Sequence, residues 1–133
     1  MDDYGMTVST SLGMDEAEEQ IRAALAEEGF GVLTEIDVAA TLKAKIDVDR
    51  APYKILGACN PTLANAALGH DEAIGLLLPC NVTLSATGDG TRVSVVDPQM
   101  MLATASESED MRALATEARA KLERALHTLP SAD

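Results

Sequence analysis

Hydrophobic and polar residues along the chain follow two different spacings. From Met6 to Leu12 they alternate one by one, which is typical of a β-strand with one solvated face. From Met14 to Glu28 apolar residues recur every three or four positions, as in an amphipathic helix, and Gly29 is a natural stop. Both spacings recur along the rest of the chain, so the sequence predicts an α+β domain.

Turn and capping residues divide the rest of the chain into further elements. Asp37 and Asn60 are favoured N-caps, and Pro61 suits a first helical position. Ser106 and Glu109 form the S-x-x-E pattern of a capping box. The remaining predicted elements are strands over 31–36, 53–58, about 77–86 and 91–97, and helices over 38–45, 62–68 and from about 106 to Pro130.

The predicted order is β-α-β-α-β-α-β-β-α, with a hairpin turn over 87–90. Helices should pack against one face of a mostly antiparallel sheet. Pro79 should lie at a strand start, an edge or a bulge, because it has no backbone donor for the ladder. We predict a loop around Met100 and Met101.

The composition indicates one domain with an aliphatic core. A chain of 133 residues has the length of one ordinary domain, and we expect its core to span about 6–129. Aromatic residues make up 2% and there is no Trp, so Ala, Leu and Val must form the core with Met as filler. So few rings also argue against binding single-stranded nucleic acid by stacking.

The formal net charge of −12 narrows the classes of partner. Most of such a surface repels a phosphate backbone and an anionic membrane, so we expect neither as a partner. The acidic residues concentrate in 15–28 and 107–110, on predicted helices. A solvated helix surface, adaptation to salt and a docking face for a basic partner all fit this pattern.

No run of 18 apolar residues exists, and the first residues lack the basic and hydrophobic regions of a secretory signal. We therefore expect a soluble, cytoplasmic protein whose two cysteines are reduced.

Two Cys-Asn steps, Cys59-Asn60 and Cys80-Asn81, carry the candidate chemistry. Cys59 precedes a predicted helix start, where unpaired backbone N–H groups favour a negatively charged thiolate. Three readings stay open for the cysteines: two small buried core residues, a redox pair, or a metal or sulfur-species site with Met100 or Met101 as an extra ligand. Two cysteines at this spacing are not a zinc signature.

Asn81 and the lysines are weaker candidates. Asn is disfavoured in strands, so Asn81 is a candidate for approaching a ligand or satisfying a loop. Lys43, Lys45 and Lys54 are either ordinary surface residues or include one that closes an anion-binding pocket at the Asn60 helix start. No phosphate-loop, dinucleotide or nucleophile-elbow motif is present, so no cofactor is identified.

Three runs together resemble the domain of unknown function 302 family: YKILGACNP at 53–61, IGLLLPCNV at 74–82 and DPQMM at 97–101. The resemblance covers about 6–126. It implies a small bacterial or archaeal domain, often dimeric, with an α+β fold similar to one half of the TATA-binding protein, a likeness that does not imply DNA binding. The family brings no established activity, so its motif positions are carried over as positions of interest only: Lys45, Cys59, Asn60, Pro61, Pro79, Cys80 and Asn81.

These observations favour a non-enzymatic binding module, acting as a homodimer, with a pocket for a small ligand or a metal near Cys59 and Cys80. One alternative is a thiol-redox or sulfur-handling enzyme with Cys59 as the nucleophile and Cys80 as the resolving thiol. The other is a structural or interaction domain without a ligand.

Overall fold

The computed structural model describes residues 4–103 and 108–132. The elements are β1 (Gly5–Thr10), α1 (Met14–Glu27), β2 (Gly31–Asp37), α2 (Val38–Ile46), β3 (Tyr53–Cys59), α3 (Pro61–His70), a 3-10 helix (Glu72–Leu77), β4 (Cys80–Thr87), β5 (Gly90–Val96), α4 (Pro98–Leu102) and α5 (Glu109–Leu126).

The five strands form one sheet in the order β1-β5-β4-β3-β2, and every neighbouring pair is antiparallel. The α+β class and the antiparallel sheet predicted from the sequence are therefore confirmed. β1 and β2 lie at opposite edges, so α1, which connects them, has to cross the whole sheet.

One face of the sheet is covered by helices. α1 and α5 pack on it, as predicted, and together they enclose an aliphatic core. Burying each Leu, Ile or Val there contributes about 1.5–3 kcal/mol, so this layer supplies most of the stabilisation. The largest fully buried side chains of this layer are Ile21, Leu25, Leu56, Val82, Leu84, Val93, Val95, Leu122 and Leu126.

The opposite face of the sheet is called the open face here, because α1 and α5 lie on the other side. Strand side chains alternate between the two faces, so the register defines its members. They are Thr7 and Ser9 on β1, Thr34 and Ile36 on β2, Tyr53, Ile55 and Gly57 on β3, Asn81, Thr83 and Ser85 on β4, and Arg92, Ser94 and Val96 on β5.

The predicted start of the strand around Pro79 was wrong. The strand expected from about residue 77 begins only at Cys80, and the residues before it form a 3-10 helix. Asp71 caps that helix by accepting a hydrogen bond from the Ala73 backbone N–H. The first part of the apolar segment is therefore helical, and the strand follows it. Pro79 lies directly before the strand, one of the places expected for a residue without a ladder donor.

The loop predicted around Met100 is instead the short helix α4. Asp97 accepts a hydrogen bond from the Gln99 backbone N–H, and Pro98 is the first helical residue. The pair Asp97-Pro98 therefore starts a helix as Asn60-Pro61 does, although it also ends a strand.

The predicted capping residue Ser106 lies outside the described residues. α5 starts at Glu109, and Ser108 serves as its N-cap by accepting a hydrogen bond from the Met111 backbone N–H. Glu109 is thus the first residue of the helix rather than the third.

Gly57 offers a direct test of the sheet packing. A Cβ at this position would collide with Thr34 Oγ1 and would lie 2.7 Å from Pro79 Cγ. We expect Gly57→Ala to lower the free energy of unfolding by about 1–3 kcal/mol, because the neighbours would have to shift. Urea unfolding followed by circular dichroism measures the change.

Gly31→Ala is the matched control for that experiment. Gly31 is also a strand residue, and a Cβ there would have no heavy atom within 4 Å. A similar loss of stability in both variants would mean that alanine is unfavourable in these strands in general. The contacts of a Cβ at position 57 with Thr34 and Pro79 would then not be the cause.

Candidate functional site

A small cavity lies where β3 ends and β4 begins, and both cysteines contribute to its lining. We call it the thiol cavity. Its volume is about 50 Å³, and α3, the 3-10 helix, α4 and α5 supply most of the remaining walls. Asn60 and Met101 also line it, whereas Met100 does not. The structure thus brings Cys59, Asn60 and Cys80 of the predicted site residues together.

The strand register explains how the two cysteines reach the same place. Cys80 pairs with Ala58, and both are buried on the helix-covered face. Cys59 is one residue further along, at the last position of β3, and is half-buried. On a regular strand the side chains of neighbouring residues leave on opposite faces, so the two cysteines approach the cavity from different directions.

Burial sets the protonation of Cys80. The side chain is 8% exposed, and desolvation raises the pKa of the Cys80 thiol to about 11, with a smaller contribution from the charge of Cys59. Cys80 is therefore a neutral thiol at pH 7.

Asn60 has a structural role that goes beyond the expected cap. Its Oδ1 accepts a hydrogen bond from the Leu63 backbone N–H, and its Nδ2 donates one to the Glu28 carbonyl at 3.3 Å. The neighbouring Gly29 has a φ of +86°, and a Cβ there would lie 3.0 Å from Asn60 Nδ2. One side chain therefore joins the end of α1 to the start of α3, and Gly29 leaves room for it.

Asn81 and Lys45 lie away from the thiol cavity. Asn81 is exposed on the open face, where it lines a shallow depression of about 200 Å³ with Tyr4, Tyr53 and Ser94. Lys45 is exposed on α2. The structure separates Asn81 from the other three residues of the two Cys-Asn steps, because Cys80 and Asn81, as neighbours on a strand, face opposite sides of the sheet.

The other two lysines considered from the sequence, Lys43 and Lys54, form ion pairs with carboxylates. Lys43 forms ion pairs with Asp47 and Asp49, and Lys54 pairs with Glu18 and Glu35. Among the described residues, no lysine lines the thiol cavity, which favours the interpretation of these lysines as surface residues over a lysine at the Asn60 helix start.

Lys54 instead joins α1 to the sheet. Burial alone would raise the pKa of Glu18, but hydrogen bonds from Lys54 and Arg22 more than offset it and hold the pKa below its ordinary value. The same contact with Glu18 raises the pKa of Lys54, against the opposing effect of its own burial.

The donor atoms at the cavity are sulfur and amide groups. Among the described residues, no group of three or more His, Cys, Asp or Glu side chains could hold a metal ion together. A closed zinc site of the usual kind is therefore not formed by this part of the chain. Met101 is the additional sulfur group, and nothing in the sequence distinguished it from Met100.

The described residues also contain no helix that combines the length and the apolar character needed to span a bilayer.

The bridging role of Asn60 predicts two different losses. Asn60→Ala should cost about 1 kcal/mol or more, because the cap disappears together with the bond to Glu28. Asn60→Asp should be less stable than the wild type as well, because it keeps the cap acceptor but places an oxygen against the Glu28 carbonyl. Urea unfolding gives both values.

Asn65→Ala is the control for the Asn60 variants. Asn65 is exposed on the same helix, and Ala is the better helix former, so stability should stay equal or rise slightly. An Asn60→Asp variant as stable as the wild type would contradict a role for the Glu28 contact.

The unequal burial of the thiols predicts unequal reactivity. A rise in the pKa from 9.0 to about 11 lowers the thiolate fraction of Cys80 about a hundredfold at pH 8. Iodoacetamide should therefore label Cys59 first in the native protein, and Cys80 only after denaturation. Mass spectrometry of tryptic peptides reads both sites, and equal native rates would contradict the buried position of Cys80.

Comparison with known proteins identifies the family. The sequence model of a domain of unknown function, DUF302, matches residues 6–129. The crystal structure of an uncharacterised conserved DUF302 protein from Bacillus stearothermophilus is similar, with a TM-score of 0.87 and 28% sequence identity over 95% of this chain and 98% of that one. No curated protein matches this chain. The resemblance carried by the two Cys-Asn runs is confirmed, and the chain belongs to the DUF302 family.

Proposed function

We propose that the protein is a non-enzymatic binding module whose ligand is a small, sulfur-seeking species held in the thiol cavity, with Cu(I) as the simplest candidate. The observation that carries the proposal is that Cys59, Cys80 and Met101 all line one cavity. These residues come from three separate elements, so the fold collects sulfur groups that are distant in the sequence.

The volume of the cavity limits the ligand. An apolar cavity of about 150 Å³ accommodates benzene, whereas one water molecule takes about 30 Å³ of liquid volume. A space of about 50 Å³ therefore suits an ion or a molecule of a few atoms. A nucleotide or a flavin would not fit without rearrangement of the core.

The chemistry of the lining selects a soft ligand. No ionised side chain is among the described residues that line the cavity, so hard cations such as Mg²⁺ or Ca²⁺ would lack oxygen ligands of opposite charge. Thiolates and thioethers favour Cu(I). Each cysteine that binds the ion must lose its proton, so the affinity should increase with pH.

The thiol-redox alternative has less support. The high pKa of Cys80 opposes thiolate chemistry near neutral pH. The structural alternative, in which both cysteines are only core residues, is an outcome of the test below.

The homodimer implied by the family resemblance is part of the same proposal. The absence of nucleic-acid and membrane partners rests on the net charge of −12, and the cytoplasmic location rests on the sequence alone. The absence of these two kinds of partner and the cytoplasmic location therefore stay predictions.

Anaerobic titration of Cu(I) against a chromophoric chelator such as bicinchoninate tests the proposal. The wild type should bind one equivalent per chain. Changing a group that only supports a metal ligand costs about 10–100-fold in affinity, so Cys59→Ser and Cys80→Ser should each cost at least about tenfold.

Met101→Leu and Met100→Leu form the matched pair of controls. Met101 lines the cavity, and Met100 is 39% exposed and does not. Only Met101→Leu should weaken binding. A wild type that cannot compete with the chelator, or cysteine variants that bind as well as the wild type, would overturn the proposal and leave the cysteines as core residues.

A further inference from the structure

The shallow depression on the open face collects the aromatic rings that reach the surface. The chain has two tyrosines, and both of them, Tyr4 and Tyr53, line this space of about 200 Å³. Tyr4 is 68% exposed and Tyr53 is half-buried, whereas the one phenylalanine, Phe30, is buried in the core. We call this space the tyrosine depression.

The tyrosine depression also contains groups that can bond to a ligand. Thr83 of β4 lies opposite Ser94 of β5, and Asn81 is two residues before Thr83 on the same face. Ser94 Oγ already bonds to Thr7 Oγ1 at 2.8 Å, but the side chains of Asn81 and Thr83 form no hydrogen bond within the described residues. An amide and a hydroxyl are therefore available there as donors and acceptors.

Two arginines border the tyrosine depression. The guanidinium carbon of Arg50 lies 5.2 Å from the centre of the Tyr53 ring, in a cation–π contact. Arg92 is two residues before Ser94 on β5, so its side chain leaves on the same face. Ser85 pairs with Tyr53 on one side and with Arg92 on the other, so these two residues are two strand spacings, or about 10 Å, apart.

Neither of these arginines is neutralised by the part of the chain that the structure describes. Arg22, Arg119 and Arg124 each form an ion pair with a carboxylate, whereas Arg50 and Arg92 form none with the described residues. In a chain with 22 acidic and 10 basic residues, an arginine without such a partner is in the minority. Guanidinium groups bind carboxylates through two parallel hydrogen bonds, so the pair favours a ligand with an anionic group.

The acidic residues near this place in the sequence bind elsewhere. Asp49, next to Arg50, pairs with Lys43, and Asp97, at the end of β5, pairs with Arg119. None of the strand residues that define the open face is acidic. The local charge around the tyrosine depression is therefore positive, although the net charge of the chain is −12.

The volume of the tyrosine depression suits one ring. An apolar cavity of about 150 Å³ accommodates benzene, so about 200 Å³ suits a six-membered ring with one small substituent. Tyrosine rings pack against aromatic rings and against the C–H groups of sugar rings. A nucleotide or a peptide would extend well beyond the depression.

We propose that the tyrosine depression binds a small cyclic carboxylate. The ring of the ligand lies against Tyr4 and Tyr53, and its carboxylate faces Arg50 and Arg92. Asn81 bonds to the polar substituent, which gives a use to an amide in a strand, where Asn is disfavoured. Aromatic acids and sugar acids share this chemistry. The depression has no lining residue in common with the thiol cavity, so this second site does not depend on Cu(I) binding.

An NMR titration of the isotope-labelled protein at constant ionic strength tests the site. Benzoate and glucuronate are the two probes, one for each kind of acid. At least one of them should shift the backbone amides of Thr83 and Ser94 and the side-chain amide of Asn81, with a Kd of about 1–10 mM for so small a ligand on an open surface. The probe that binds more tightly identifies the kind of acid.

Neutral molecules of the same shape test the role of the charge. Benzyl alcohol is the counterpart of benzoate, and glucose is the counterpart of glucuronate. Each should bind at least about threefold more weakly than its acid, because it forms no charge-assisted hydrogen bond with a guanidinium group.

Arg50→Gln and Lys45→Gln form a matched pair of variants. Each removes one exposed cation that has no carboxylate partner among the described residues, and Lys45 does not line the depression. Arg50→Gln should weaken binding of the acid at least about threefold and leave binding of its neutral counterpart unchanged. Lys45→Gln should change neither.

Tyr4→Ala tests the role of the ring. It should weaken the acid and its neutral counterpart alike, because both lose the same contact. The backbone carbonyl of Tyr4, which accepts a hydrogen bond from the Asp97 N–H, is kept in this variant, so the fold should be retained.

Three results would overturn the proposal. The first is the absence of shifts at the depression with either acid at about 50 mM, well above the expected Kd. The second is a neutral counterpart that binds as tightly as its acid, and the third is an equal loss in Lys45→Gln and Arg50→Gln. Cys59→Ser should bind the acid like the wild type, so a failure of the Cu(I) proposal leaves this test intact.

Discussion

The alternation of side chains along β4 is the constraint on which the rest of the structure depends. β4 has neighbours on both sides in the sheet, and its residues point in turn to the helices and to the open face. Val82 and Leu84 enter the core, while Thr83 and Ser85 do not. A shift of one residue in the register would exchange the two sets, so the hydrophobic core and the register determine each other.

The same alternation separates the two residues of the second Cys-Asn step. Cys80 is directed to the helix layer, where burial keeps it neutral, and Asn81 is directed to the open face. Cys59 departs in part from the alternation of side chains, because β3 ends at this residue and Asn60 is already the N-cap of α3. A motif that reads as one feature in the sequence therefore contributes to two surfaces: a small cavity rich in sulfur and a sheet face free of acids.

Some of the acidic residues of the chain help to position α1. The ion pairs of Glu18 with Lys54 and of Glu28 with Arg124 lie on the helical side and connect α1 to the sheet and to α5. Surface pairs of this kind contribute little individually, so their main effect is to position α1 over the core. None of the strand residues that define the open face is acidic, and Arg92 is the charged residue among them.

Features that depend on near neighbours could be predicted from the sequence. The strand alternation of Met6 to Leu12, the caps at Asp37 and Asn60 and the family runs could all be read from it, because strand pleat and helix capping involve residues only a few positions apart. The 3-10 helix and α4 were missed although their caps, Asp71 and Asp97, are equally local, because the apolar run and the strand end masked them.

Which distant residues meet depends on how the whole chain packs. It selected Met101 rather than Met100 for the thiol cavity, joined Asn60 to Glu28, and placed Lys45 away from both cysteines. Those outcomes depend on how α1, α3 and α5 pack around the end of the sheet, and packing is set by the summed volumes of many aliphatic side chains. No local pattern encodes that sum, so the neighbours of a cavity and the uncovered face of a sheet become visible only in the folded chain.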